Sequence, residues 1–377
     1  MNVEKTTYLI AAGGTAGHIN PALAVAGIIR YLHPEAKIVF VGTADHMEAR
    51  LVPAAGFALE TIDISGFQRS MRLENIKRNL GTIKRLLRVT GSVGKIFDRV
   101  KPDVVVGFGG YVSGPVLRLA YKKGIPTAIH EQNAFPGVTN KTLAKHVDAV
   151  MLGAAQAQAH MRCKNPPIVT GIPVRREMFL AQSALCRREL GLDERPMVLS
   201  MGGSLGARAM NDAVVGMLGL LTDKKICFHH AYGQYGKWVP EAVAKKGLTI
   251  APPALVLREY IDDMPRCMNA ADLVISRAGA SAISELQAMG KPSILVPSPN
   301  VSENHQYHNA KALADAGAAV LIEEKDLTPQ LLAAVVEELI SNPEKRSSMA
   351  AAAKAMAIAD AAERIYDVIV SLLSIVN

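Results

Sequence analysis

The chain is poor in cysteine and has no long apolar run. Its 377 residues include four cysteines, Cys163, Cys186, Cys227 and Cys267, with no paired spacing. That scatter argues against a zinc site and fits thiols kept reduced in a cytosol. No apolar stretch nears the roughly 18 residues of a membrane-spanning helix. Glu4 and Lys5 precede only a short apolar run that glycines then end, which is not a signal-peptide pattern. Low-complexity tracts are absent too, and 49% of residues are hydrophobic, as in an ordinary soluble protein. The expected location is cytoplasmic. A chain of 377 residues exceeds the size at which one core usually stops growing, so two domains are expected.

The net charge of +8 is concentrated in one place: between Arg69 and Lys101 stand ten Lys/Arg against Glu74 and Asp98, a local excess of +8. Within it, Ile76, Leu80, Ile83, Leu86 and Leu87 recur among the basic residues at helical spacing. A basic helix with an apolar face suits an anionic membrane surface. The alternative is a surface helix whose apolar side faces its own core. Nucleic acid is not an expected partner, because the segment lacks interleaved aromatics and no nucleic-acid motif accompanies it.

Short apolar runs alternate with amphipathic stretches. "TYLIAA", "KIVFVG", "DVVVGFGG" and "PTAIHEQ" read as strands in the first half, and "MVLSM", "ICFHHAYG", "DLVISRAG" and "PSILVPSP" in the second. The alternation predicts βαβ units and an α/β chain with two doubly wound parallel sheets. The expected division lies near "VTGIPVRRE", giving domains 1–170 and 171–355. Ligands of such sheets lie beyond the carboxyl ends of the strands, so a cleft between the domains is the expected site.

Each half opens on a strand, a glycine turn and a helix: GGTAGH, with Pro21 read as opening the helix and His18 in the loop before it, and GGSLGA, with a helix near Ala207. Neither has the G-x-G-x-x-G spacing of a dinucleotide site or the Lys-Ser/Thr of a P-loop, which disfavours a dehydrogenase or kinase. What remains is a pair of backbone nests at helix N-termini, suited to phosphate or pyrophosphate. "FGGYVSGPV" sets Gly109, Gly110, Tyr111 and Ser113 at another strand end, and "HEQN" sets His130, Glu131, Gln132 and Asn133 at the next. Such crowding of donors and acceptors suits a polyhydroxylated ligand. In "SRAGASAISE", Ser281 could cap a helix with Glu285 in its second turn, where a carboxylate can grip a ribose diol. His305 and His308 have no neighbouring set that completes a metal site, and no metal is expected.

GGTAGHINPALAVA, FGGYVSGPV, HEQNAFPGVTNK, GIPVR, MGGSLGAR, YIDDM, SRAGASAISE and HQYHNA occur in this order across almost the whole chain. Together they resemble the MurG family of peptidoglycan N-acetylglucosaminyltransferases. The resemblance implies a GT-B architecture of two Rossmann-like domains, with a C-terminal helix (356–377) returning to the first. It implies metal-independent transfer of GlcNAc from UDP-GlcNAc to the 4-hydroxyl of lipid I, with inversion, at the cytoplasmic face of the plasma membrane. Residues 73–101, with Lys84, Arg85 and Arg88, would dock on that membrane, and other cell-wall synthesis proteins stay open as partners.

By the same resemblance, Thr15, Ala16, Gly17 and Asn133 would meet the donor, with Arg175 as the arginine of the G-x-P-V-R element. Ser204 would touch the pyrophosphate and the Ile261 backbone the uracil. The loop of Ala280, Ser281, Ala282, Ile283, Ser284 and Glu285 would hold the diphosphate and sugar, and His305 or Gln306 would reach the donor sugar. Gly109, Gly110, Tyr111 and Ser113 fall on the acceptor side. His18, which titrates near neutrality, could be the general base, with Glu131 as the competing carboxylate and phosphate binding as the other role for His18. Ala16, Leu205 and Ile172 stand where the family more often has glycine, glutamine and asparagine. Other lipid glycosyltransferases of this architecture and a UDP-GlcNAc epimerase are the rival readings.

Overall fold

The computed structural model describes residues 5–64, 89–221, 226–301 and 304–374. The chain divides into one unit of Met1–Arg175 with Ala359–Asn377 and a second of Arg176–Ile358.

The first unit is built on seven parallel strands: β1 (Thr7–Ala12), β2 (Lys37–Gly42), β3 (Ala58–Thr61), β4 (Val104–Gly109), β5 (Thr127–Glu131), β6 (Ala149–Leu152) and β7 (Ile168–Val169). Their order is β3-β2-β1-β4-β5-β6-β7. Both faces are covered. Tyr8, Ile10, Val106 and Phe108 point into one core and Leu9, Ala11 and Val105 into another, which is why β1 and β4 read as unbroken apolar runs. The first core is closed by the helices Ala16–Leu32 and Ala361–Ser374, the latter contributing Ile365, Ile369, Leu372 and Leu373. Tyr366 on the terminal helix also meets His33 Nε2 at 2.5 Å.

Two expectations change here. The helix begins at Ala16, directly after the glycine turn, so Pro21 lies inside it and His18 in its first turn. An interior proline costs about 3 kcal/mol. Burial of Ile19, Leu23, Val25 and Ile29 from this helix contributes about 1.5–3 kcal/mol for each side chain and outweighs it. The second change concerns the basic segment. Residues 89–100 are helical, and Val89, Val93, Ile96, Phe97 and Val100 are buried in the second core. This part turns its apolar side to its own sheet and not to a membrane. The stripe Ile76, Leu80, Ile83, Leu86 and Leu87, like Lys84, Arg85 and Arg88, lies outside the described residues.

The second unit carries six parallel strands: β8 (Met197–Met201), β9 (Cys227–Ala231), β10 (Leu255–Arg258), β11 (Leu273–Ser276), β12 (Ser293–Leu295) and β13 (Ala319–Leu321). Their order is β10-β9-β8-β11-β12-β13. Val198, Phe228, Leu273, Ile275 and Ile294 form one face, packed with Met210, Val214 and Met217 of the helix Arg208–Leu220 and Leu332, Val336 and Leu339 of Pro329–Ser341. No helix among the described residues is long and apolar enough to cross a membrane.

Candidate active site

In each sheet the first strand lies between its successor and a strand reached by a long crossover: β1 between β2 and β4, β8 between β9 and β11. At such a switch point the chain leaves neighbouring strands in opposite directions and opens a crevice beyond their carboxyl ends. The glycine turns stand at these two points.

In the first unit the turn after β1 meets the turn after β4. Gly110 adopts φ +81°, and a Cβ there would lie 2.3 Å from the Gly13 carbonyl oxygen. Gly109, at φ +106°, faces the His18 ring, whose Cδ2 would lie 2.7 Å from its Cβ. Only glycine permits both backbones to come so close. His18 Nδ1 lies 3.1 Å from the Gly13 carbonyl oxygen. A carbonyl offers lone pairs only, so Nδ1 carries the proton and Nε2 of the neutral ring keeps its own lone pair. Nε2 has no hydrogen-bond partner among the described residues. Desolvation holds the His18 pKa below its ordinary 6.5, against the opposing pull of the Gly13 carbonyl and of the Glu131 and Glu48 charges.

Glu131, at the end of β5, is buried and saturated. One oxygen accepts from the Asn133 amide N–H at 3.0 Å and from Asn133 Nδ2 at 3.1 Å. The other accepts from the Gly137 N–H at 3.0 Å and Asn140 Nδ2 at 2.9 Å. This carboxylate shapes the 133–140 loop. Its neighbour His130 donates from Nε2 to the Gly171 carbonyl at 2.8 Å, and burial pushes its pKa down to about 4. Ser113 is buried as well, accepting from the Gly109 N–H at 3.1 Å with its hydroxyl 2.8 Å from the Gly109 carbonyl. It braces the turn from inside, whereas Tyr111 is 58% exposed at its rim. Arg175, the last residue of this unit, has a buried Nε with no hydrogen-bond partner among the described residues.

In the second unit three helices begin beyond the carboxyl ends of β8, β11 and β12: Arg208–Leu220, Ala280–Met289 and His305–Asp315. None has an acidic residue in its first turn, so each presents a positive dipole end uncompensated by its own side chains. Ser204 and Leu205 lie in the glycine turn between β8 and the helix Arg208–Leu220, where the Ser204 carbonyl accepts from the Gln234 N–H at 3.1 Å and the Leu205 carbonyl from the Tyr235 N–H at 2.9 Å. Gly206, at φ +84°, passes so close to the Tyr232 carbonyl that a Cβ would lie 2.3 Å from its oxygen.

The second helix is capped by Gly279, not by Ser281, which falls inside its first turn; Ile283 donates to the Gly279 carbonyl at 3.0 Å. Ala280, Ser281, Ala282 and Ser284 are partly exposed around that end, and Glu285 is buried in its second turn. His305 and Gln306 open the third helix. Gln306 Oε1 accepts from the Ser298 N–H at 2.9 Å, and Asn309 donates to the Ala278 carbonyl at 3.0 Å. Ile261 is buried just after β10, in a loop pinned by Arg258 to Asp263 at 2.6 Å. Sequence reasoning missed Arg277, which donates to the Val296 and Pro297 carbonyls and pairs with Glu324. It also missed Glu48, described below. Among the described residues no three His, Cys, Asp or Glu side chains are grouped to hold a metal ion.

Residues 8–152 match the glycosyltransferase family 28 N-terminal domain, and residues 197–365 its C-terminal domain. The UDP-N-acetylglucosamine–N-acetylmuramyl-(pentapeptide) pyrophosphoryl-undecaprenol N-acetylglucosamine transferase of Acetivibrio thermocellus is 42% identical, over 97% of this chain and 98% of its own length. The enzyme of the same name from Bacillus cytotoxicus is 41% identical, over 97% of this chain and 99% of its own. The crystal structure of Acinetobacter baumannii MurG superposes with a TM-score of 0.70 at 30% identity, over 97% of this chain and 99% of that one. A UDP-GlcNAc 2-epimerase of Neisseria meningitidis, at 14% identity and a TM-score of 0.65, shares the fold alone. The two glycine turns, the histidine beside one of them and this likeness along nearly the full length make the chain a member of glycosyltransferase family 28, in its MurG branch.

Proposed function

We propose that the chain transfers GlcNAc from UDP-GlcNAc to the 4-hydroxyl of the muramoyl sugar in undecaprenyl-linked lipid I, giving lipid II and UDP. The observation that carries this reading is the full-length likeness to the transferases at about 40% identity. The site geometry supports a mechanism in which His18 is the base. His18 Nε2 takes the proton from the acceptor hydroxyl, and that oxygen attacks the anomeric carbon from the face opposite UDP. The bond from carbon to the diphosphate oxygen breaks with its electron pair going to UDP, and the sugar inverts to the β anomer.

The acid-free helix starts of the second unit are suited to the leaving diphosphate: main-chain N–H groups stabilise the developing charge without a cation. Ser204 and the first turn Ala280–Ser284 serve the diphosphate in this scheme, Glu285 the ribose, Ile261 the uracil, and His305 and Gln306 the sugar. Thr15, Ala16, Gly17, Asn133 and Arg175 complete the donor contacts from the first unit. Glu131 supports the loop carrying Asn133, and its four hydrogen bonds argue for His18 as the base.

Labelled UDP-GlcNAc incubated with lipid I in the presence of a chelator tests the reading. The expected result is label in the lipid fraction and release of UDP, with neither lipid product nor epimer from UDP-GlcNAc alone. Label that stays in water, or turnover lost to the chelator, contradicts it.

The acceptor's polyprenyl tail requires work at a membrane surface. We assign the contact to the basic residues from about 73 to 88, including Lys84, Arg85 and Arg88, because the helix over 89–100 buries its apolar side in its own core. Binding to anionic vesicles is expected to weaken with salt and with neutral replacement of Lys84, Arg85 and Arg88. Binding indifferent to both would remove the assignment.

A further inference from the structure

Glu48, the first residue of the helix Glu48–Ala54, is fully buried beneath the first glycine turn. Its Oε1 accepts from the Thr43 amide N–H at 2.9 Å and the Thr43 hydroxyl at 2.7 Å. Its Oε2 accepts from the Gly14 N–H at 3.0 Å. The side chain runs between two glycines: a Cβ on Gly42 would lie 2.4 Å from Glu48 Cγ, and one on Gly13 2.7 Å from Oε1. Gly13 is the residue whose carbonyl accepts from His18. The carboxylate thus ties the end of β2 to the turn after β1, one residue from the group that orients the imidazole.

The chemistry calls for an acceptor with no donor. Two main-chain N–H groups reach the carboxylate from different sides, one to each oxygen. A glutamine has one carbonyl oxygen and one NH₂, so whichever way it turns one of those N–H groups faces another donor and is left unpaired. Resting on the reading of His18 as the base, we propose that Glu48 is its positioning residue: the carboxylate holds the Gly13–Gly14 turn whose carbonyl fixes the imidazole tautomer. The charge acts in the same place. Glu48 and Glu131 are the two carboxylates whose fields favour the protonated His18 ring. On the far side of Glu48, the Thr43 hydroxyl lies 3.1 Å from His46 Nδ1, and His46 pairs with Asp45 at 2.8 Å.

Three variants, Glu48→Gln, Glu48→Asp and His18→Ala, test this against the wild type. Glu48→Gln is expected to lower kcat about 10- to 100-fold with the KM for UDP-GlcNAc within about twofold, since misplacing a reacting group costs rate and not donor binding. Removing a negative charge destabilises the imidazolium, so the acid limb of the pH profile moves to lower pH. Glu48→Asp keeps the charge but shortens the reach, so it lowers kcat and leaves the limb in place.

The second readout needs no turnover: imidazole ¹⁵N shifts of His18 report Nδ1–H in the wild type and a mixture of tautomers in Glu48→Gln. A wild-type tautomer and unmoved limb in Glu48→Gln overturn the proposal, including where activity falls only in step with the folded fraction seen by thermal melting. If His18→Ala retains turnover, the base reading fails. The tautomer comparison then still decides whether Glu48 sets the ring.

Discussion

Replacing His18 by alanine lowers kcat by about 10²- to 10⁴-fold, the range for loss of a positioned general base. The loss falls on kcat more than on the KM for UDP-GlcNAc, because the ring is assigned to the acceptor proton and not to the donor. The pH dependence gives the effect a signature. Desolvation holds the ring's pKa below 6.5, so the wild-type base is already unprotonated at neutral pH. Activity is retained through neutrality and falls on the acid side, below pH 6.5, as Nε2 gains a proton. In His18→Ala that limb disappears along with most of the rate. Near-normal turnover with the same limb would show that another group takes the proton.

Gly110→Ala carries the second large effect, because two costs coincide at one residue. A left-handed backbone costs an L-residue about 1–2 kcal/mol. In addition the new Cβ would stand 2.3 Å from the Gly13 carbonyl oxygen, against main chain that cannot rotate away. The turn must open, and the carbonyl that opens is the acceptor for His18 Nδ1. We expect kcat to fall by about 10²-fold or more and the melting temperature to drop. Gly124→Ala is the matched comparison: φ is +72° and no atom lies within 4 Å of its Cβ, so only the conformational cost remains. Equal activity and equal melting temperature in the two variants would mean that the close approach of the two turns has no role.

How much of this was legible in the sequence follows from burial. β1, β2, β4, β5 and β8 carry enough buried apolar residues to stand out as runs. Five strands gave no signal: β3, β7, β10 and β13 are edge strands of two to four residues with mixed or partial exposure, and β6, buried between β5 and β7, has only four residues and so makes too short an apolar run. Helix starts were read too late: Pro21 and Ser281 have the chemistry of a first position and a cap, yet Ala16–Leu32 begins after Thr15 and Ala280–Met289 after Gly279, neither with a side-chain cap hydrogen bond. Tertiary burial of the apolar side, not cap chemistry, fixed those ends.

At the site, the residues to watch were legible because glycines and polar groups cluster after strands. Which of them face inward was not. Ser113 and Glu131 look like ligand groups in a motif, but the fold turns each onto its own main chain. Glu48 had no sequence signal, since its partners lie five and 34 residues away and glycines leave room for its side chain.

Base catalysis by His18 requires a neutral imidazole held by one main-chain oxygen, with its other nitrogen left for a sugar hydroxyl. Nitrogen-15 spectroscopy of the wild-type protein titrated from pH 8 to pH 5, with the His18 resonance assigned by difference from His18→Ala, examines that state directly. The expected spectrum shows a proton on Nδ1, a bare Nε2, and a midpoint below 6.5. A proton resident on Nε2 at neutral pH, or a midpoint above 6.5, would contradict base catalysis by His18.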